Sequence, residues 1–176
     1  YEKYFFVGGS SSVRAWRPRR LGIGSAPPIL STNPSSNGLF DYRYEKPGEI
    51  LLEGSFEWRK KLFGFVDGAL FIDAGNVWSF QQAPAAATSA TTPDWASQSN
   101  TKFYFDKFYK EIAVGTGFGL RFDFTFLVLR LDIGIKAWDP ARAEGDRFVL
   151  PKFKFFGPFG ADREPVIWNV GIGYPF

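Results

Sequence analysis

The chain contains no cysteine, no histidine and no methionine. Without cysteine there is neither a disulfide framework nor a thiolate metal site. Without histidine the commonest general base and metal ligand is missing, and a Ser-His-Asp triad cannot be completed within the chain. No apolar run reaches the roughly eighteen residues of a transmembrane helix, so a helical span is excluded. A net charge of +3 is too mild to call for nucleic acid. The chain starts at Tyr1 with neither an initiating Met nor a charged and apolar signal segment. The expectation is that the N-terminal part of a longer protein is missing.

What is present is aromatic and flexible. Phe supplies 21 residues and Gly 19, and aromatics make up 19% of the chain. Such a composition favours strands and turns over helices.

A strand shows a period of two, and five segments have it. In residues 49–59, Ile50, Leu52, Gly54, Phe56 and Trp58 share one face; of the opposite positions only Leu51 breaks a polar series with Glu53, Ser55 and Glu57. In residues 65–78, Val66, Leu70, Ile72, Ala74 and Trp78 oppose Asp67 and Asp73. Residues 111–124 alternate most cleanly. There Ile112, Val114, Thr116, Phe118, Leu120 and Phe122 oppose Glu111, Ala113, Gly115, Gly117, Gly119, Arg121 and Asp123. Parity then shifts, so that Leu127, Leu129, Leu131, Ile133 and Ile135 oppose Arg130, Asp132 and Lys136. The shift predicts a tight hairpin near Thr125. Residues 166–176 close the series, with Val166, Trp168, Val170, Ile172, Tyr174 and Phe176 on one face and Asn169, Gly171 and Gly173 on the other.

The contents of the faces choose between barrels. Each segment is about the 9–11 residues that a tilted strand needs to cross a bilayer. The polar faces carry full charges in mid-strand together with glycines, which suits a water-filled or loop-plugged lumen. The apolar faces end in Trp58, Trp78, Trp138 and Trp168, as membrane girdles do. A soluble lipocalin-like barrel also alternates but gives no reason for these contents. The predicted turns, residues 60–64 and the one near Thr125, are short; residues 79–110 and 139–165 are long connections, and residues 81–99 carry no readable site. The expected fold class is therefore all-β, an antiparallel transmembrane β-barrel. Five strands cannot close a barrel and an open edge is forbidden in lipid. The N-terminal remainder of the same barrel is the expected partner.

Residues 1–48 do not read as a strand. They hold Gly8-Gly9-Ser10-Ser11-Ser12 and then four arginines in seven residues, Arg14, Arg17, Arg19 and Arg20. A solvated basic loop or a site for anionic lipid headgroups would both account for them.

Val13-Arg14-Ala15-Trp16, preceded by Phe5-Phe6-Val7-Gly8-Gly9-Ser10, resembles the sixth-loop motif of the BamA/TamA-like outer-membrane barrel superfamily, which reads Val-Arg-Gly-Phe or Val-Arg-Gly-Tyr. Phe71-Ile72-Asp73-Ala74-Gly75-Asn76-Val77-Trp78, Gly115-Thr116-Gly117-Phe118-Gly119-Leu120-Arg121 and Val170-Gly171-Ile172-Gly173-Tyr174-Pro175-Phe176 resemble later strands of that family, in its order. The resemblance implies loop six (residues 1–48) followed by the last five strands (residues 49–176) of a barrel of about sixteen. It also implies an outer-membrane protein assembly or translocation factor, integral to the bacterial outer membrane, with client outer-membrane proteins, lipid and lipopolysaccharide, and accessory lipoproteins as partners. Ala15 departs from the motif glycine, which would strain the loop if a positive φ is needed there. The Ala-Trp variant favours the TamA-like branch.

Loop six is expected to fold into the lumen and set Arg14 against Glu57 and Asp73. Parity alone places both acids on inward faces of neighbouring strands, and the resemblance carries the loop arginine and its acidic partners to these three positions. Trp168, Val170, Ile172, Tyr174 and Phe176 are expected to form a C-terminal assembly signal. Gly171 and Gly173 either weaken the last strand, easing an opening of the seam, or make room for a plug loop on the lumenal face. No catalytic residue, metal ligand or cofactor is expected. A passive pore or receptor barrel, or the barrel of an outer-membrane lipase, are the alternatives. The pore leaves the basic loop and lumenal acids unexplained, and the lipase lacks a histidine base. Paired-carboxylate chemistry at Glu57, Asp67 and Asp73 is a weaker reading than lumenal ion pairing.

Overall fold

The computed structural model describes residues 4–27, 45–82, 100–124, 126–153, 155 and 166–173. Alternation becomes one antiparallel sheet: β1 (Ile50–Phe63), β2 (Val66–Trp78), β3 (Ala113–Phe124), β4 (Leu127–Trp138) and β5 (Ile167–Ile172) lie in sequence order. Each strand pairs only with its neighbours in the chain, the up-and-down topology of a barrel wall. No α-helix is formed among the described residues.

Register explains which residues share a face. Trp58, Leu70, Phe118, Ile133 and Trp168 are successive partners across all five strands and form one outward row. The inward-facing rows on its two sides hold Glu57, Phe71, Gly117, Gly134 and Ile167, and Arg59, Ala69, Gly119, Asp132 and Asn169. Outward apolar side chains such as Phe56, Leu70, Ile72, Val170 and Ile172 stay exposed, as they must when lipid is their counterpart.

Three expectations need correction. The first hairpin turn is not residues 60–64, because β1 runs on through Lys60 and Lys61, which pair with Gly68 and Asp67. The reversal sits at Gly64 and Phe65, where Gly64 takes φ 51°, a left-handed conformation that favours glycine. The four tryptophans do not form a girdle. Trp58 and Trp168 lie in the same mid-sheet row, whereas Trp78 is fully buried, with its indole N–H donating to Glu111 at 2.7 Å and its ring edge-on to Phe103. β5 ends at Ile172, followed by Gly173 at φ 87°. Tyr174 and Phe176 lie outside the described residues.

Residues 4–27 form a loop that packs over the inward face of the sheet. Phe5 and Gly48 exchange backbone hydrogen bonds, and Val7 accepts one from Leu21. Val7, Val13, Ala15, Trp16 and Leu21 pack with Val77 and Ala113 into a buried apolar cluster. This cluster lies between the loop and the inward wall.

Candidate functional site

The loop's arginines separate. Arg19 stays exposed beside Glu45, whereas Arg14 is 1% exposed. Burial of a guanidinium is costly unless its donors are matched, and here they are. Arg14 Nε and Nη2 donate to the two oxygens of Asp73, both at 2.8 Å, and its backbone N–H donates to Asp73 Oδ2 at 3.0 Å. Nη1 donates to Glu57 at 2.5 Å and Nη2 also to Ser55 at 3.2 Å. The guanidinium lies 3.5 Å from the centre of the Phe71 ring, a cation–π contact in a desolvated setting. A planar fork with five donors grips Asp73 bidentately and still reaches Glu57, a geometry that the three donors of an ammonium do not match.

The sheet supplies these partners by register. Ser55 sits opposite Asp73 and donates to it at 2.6 Å, and Glu57 sits opposite Phe71. Glu57 is held further by Arg121 at 2.8 Å and by Arg59 at 2.6 Å. Arg121 in turn donates to Asp132 at 2.5 Å. Asn169 on β5 donates to the Arg14 carbonyl at 2.8 Å. The loop is thereby tied to β1, β2 and β5.

Small residues in the wall give the loop its track. A Cβ on Gly115 would come within 2.5 Å of the Ala15 Cβ, and one on Gly134 would collide with the Arg14 carbonyl. The strain expected at Ala15 is absent, because among the described residues Arg19 alone of the non-glycines has a positive φ. Ala15 is accommodated by the room that Gly115 leaves. Val13 and Trp16 are buried on either side, and the Lys136 ammonium lies 5.0 Å from a Trp16 ring centre.

Sequence reasoning named Arg14, Glu57 and Asp73, and the structure brings the three together. It did not assign Arg121, Asp132, Ser55, Phe71 or Asn169 to the site. Parity had set Arg121 and Asp132 inward, but only the register of β3 and β4 shows that they meet. Of the proposed terminal signal, Trp168, Val170 and Ile172 are exposed on the outward face, away from this site. Gly171 faces inward, and a Cβ there would lie 2.6 Å from Arg130 Nη2. The space beside Gly171 is filled by the Arg130 guanidinium of β4, not by the loop itself.

The Omp85 superfamily domain matches residues 1–162, the loop and four of the five strands included. The chain belongs to the Omp85 superfamily. An Omp85 domain makes this an outer-membrane β-barrel protein, in accord with the antiparallel sheet and its apolar outward face. No curated protein matches the chain.

Proposed function

We propose that this chain is the C-terminal barrel segment of a factor that inserts or translocates other outer-membrane proteins, from the TamA-like branch of the superfamily. The observation that carries the reading is the seating of the lumenal loop, through Arg14, on Asp73 and Glu57. A passive pore gains nothing from burying an arginine and two carboxylates in its lumen; a barrel that must hold a loop in place while its wall opens does. Desolvation offsets most of the Coulomb attraction in such a site, so its value lies in positioning. The Ala15-Trp16 variant of the loop motif supports the TamA-like assignment. Client outer-membrane proteins, the remaining strands of the barrel, lipid and lipopolysaccharide, and accessory lipoproteins are the partners this role requires. The protein performs no chemical step, and Trp168, Val170, Ile172, Tyr174 and Phe176 serve its own assembly.

The test uses the full-length protein in cells. Arg14→Ala should lower the outer-membrane levels of client barrels, while the variant itself remains inserted and folded. Unchanged client levels, with the loop shown by protease sensitivity to be released, would refute the role.

A further inference from the structure

Arg130 on β4 is 2% exposed, and its Nε and Nη1 have no hydrogen-bond partner among the described residues. Asp132, 1% exposed, has one oxygen, Oδ2, in the same condition. A buried donor and a buried acceptor of opposite charge thus stand 4.0 Å apart without a bond between them. That separation is too long for a hydrogen bond, and unpaired buried groups of this kind are expensive.

Two contacts keep them apart. Arg130 Nη2 donates to the carbonyl of Ser10 in the lumenal loop at 2.9 Å, with the guanidinium lying over Gly171. Asp132 Oδ1 is taken by Arg121, and Oδ2 has Arg14 Nη1 at 3.8 Å on its other side. Arg14 and Arg130 therefore flank the same carboxylate oxygen at nearly equal distance, and both are held where they are by one loop.

We propose that Arg130 is a reserve counter-ion that takes Asp132 when the lumenal loop leaves the wall. Withdrawal removes Arg14 from Asp132 and the Ser10 carbonyl from Arg130 in a single movement. The arginine is freed as the carboxylate loses a neighbour, and a shift of about an ångström joins them at ordinary hydrogen-bond length. The lumenal wall then exchanges one ionic contact for another instead of leaving Asp132 with Arg121 alone. The docked loop is correspondingly easier to release. This concerns the loop's own equilibrium and stands whether or not the barrel handles client proteins.

A double-mutant cycle tests it on the full-length protein folded into phospholipid vesicles, with the urea unfolding equilibrium as readout. Arg130→Gln in the otherwise native protein should change the unfolding constant by less than about threefold. In an Arg14→Ala background, where the loop is released, the same change should weaken folding about tenfold more, within the range for residues sharing an ionic network. A double variant that fails to fold while both single variants fold is the extreme form of the expected result. Equal effects in the two backgrounds would overturn the proposal, as would Arg130→Gln alone preventing folding. Failure of Arg14→Ala to fold would also overturn it, because Arg130 would then hold nothing in reserve. None of these outcomes depends on client levels, so the proposal can fail independently of the assembly role.

Discussion

The two faces of the same five strands are built on different rules. Outward, Phe56, Trp58, Leu70, Ile72, Trp168, Val170 and Ile172 are all more than half exposed on the chain alone. Lipid is their counterpart, and lipid asks only that a side chain be apolar. Inward, Arg14 has four hydrogen-bonded links to Asp73 and Glu57, a ring beneath it and a glycine-lined track for its backbone. There each residue has a named partner at a fixed distance. The difference predicts that substitutions outward obey a depth-dependent transfer cost, whereas substitutions inward depend on which partner they strand.

The largest expected effect is on the inward face. Arg14→Ala removes both guanidinium bonds from Asp73, leaving it Ser55 and the backbone N–H of residue 14, while Glu57 keeps Arg121 and Arg59. The cost should reach about 3–5 kcal/mol, the usual penalty for breaking one side of a buried pair. Arg14→Lys should recover only part of it, since an ammonium cannot bridge both acids in one plane. Urea unfolding of the vesicle-bound protein measures both. A lysine variant as stable as the native protein would mean that charge alone, without the fork, suffices.

Next comes the outward face. Leu120→Arg should cost about 2–4 kcal/mol if that row lies near mid-membrane. The same change at Phe124, on the same face but at the turn end of β3, should cost about 1 kcal/mol or less. Equal costs at the two positions would remove the depth dependence on which the contrast of faces rests.

The two faces also differed in how much the sequence disclosed. Period-two alternation reports a face directly, so the five strands and their inward and outward residues were legible from residue types alone. Glu57, Asp73 and Arg14 were legible because parity and the loop motif converged on them. Arg121 and Asp132 were not, since pairing across strands depends on register, and register is set by turns that composition does not fix. The first turn was misplaced because Lys60 and Lys61 look like turn residues, although the β1 ladder continues through them. Trp78 was misread because parity says nothing about the loop of residues 100–111 that covers it. Ala15 was read as a source of strain on the supposition of a positive φ, which the motif residues do not reveal; φ there is ordinary, and the room for its methyl group is provided by Gly115, one hundred residues later.

That last pairing gives a smaller effect with a sharper signature. Gly115→Ala should cost about 1–3 kcal/mol, as overpacking does, because the new methyl group meets Ala15. Ala15→Gly should be mild alone, and should restore most of the loss when combined with Gly115→Ala. Urea unfolding and the protection of the loop from protease measure the cycle. If the double variant were as destabilised as Gly115→Ala by itself, the wall would be rejecting the methyl group for a reason other than the loop.

The smallest effect compares two tryptophans of the same strand pair. Trp58 is 53% exposed in an outward row, and its chemistry there is that of any large apolar side chain. Trp78 is buried and donates its indole N–H to Glu111, which also accepts from Ser25 and Asn100. Phenylalanine keeps the apolar bulk and removes the N–H. At Trp58 the exchange should be near neutral, within about 0.5 kcal/mol for a site away from any special feature. At Trp78 it removes a charge-assisted bond to a carboxylate, which is worth about 1.5–3 kcal/mol, but two other donors remain on Glu111, so a loss of about 1 kcal/mol is expected. Fluorescence separates the two positions without relying on so small a difference. Lipids brominated along the acyl chain should quench the emission lost in Trp58→Phe and leave untouched the emission lost in Trp78→Phe. Quenching of both would return Trp78 to the lipid face and abolish the distinction between a residue chosen for the bilayer and one chosen for a partner.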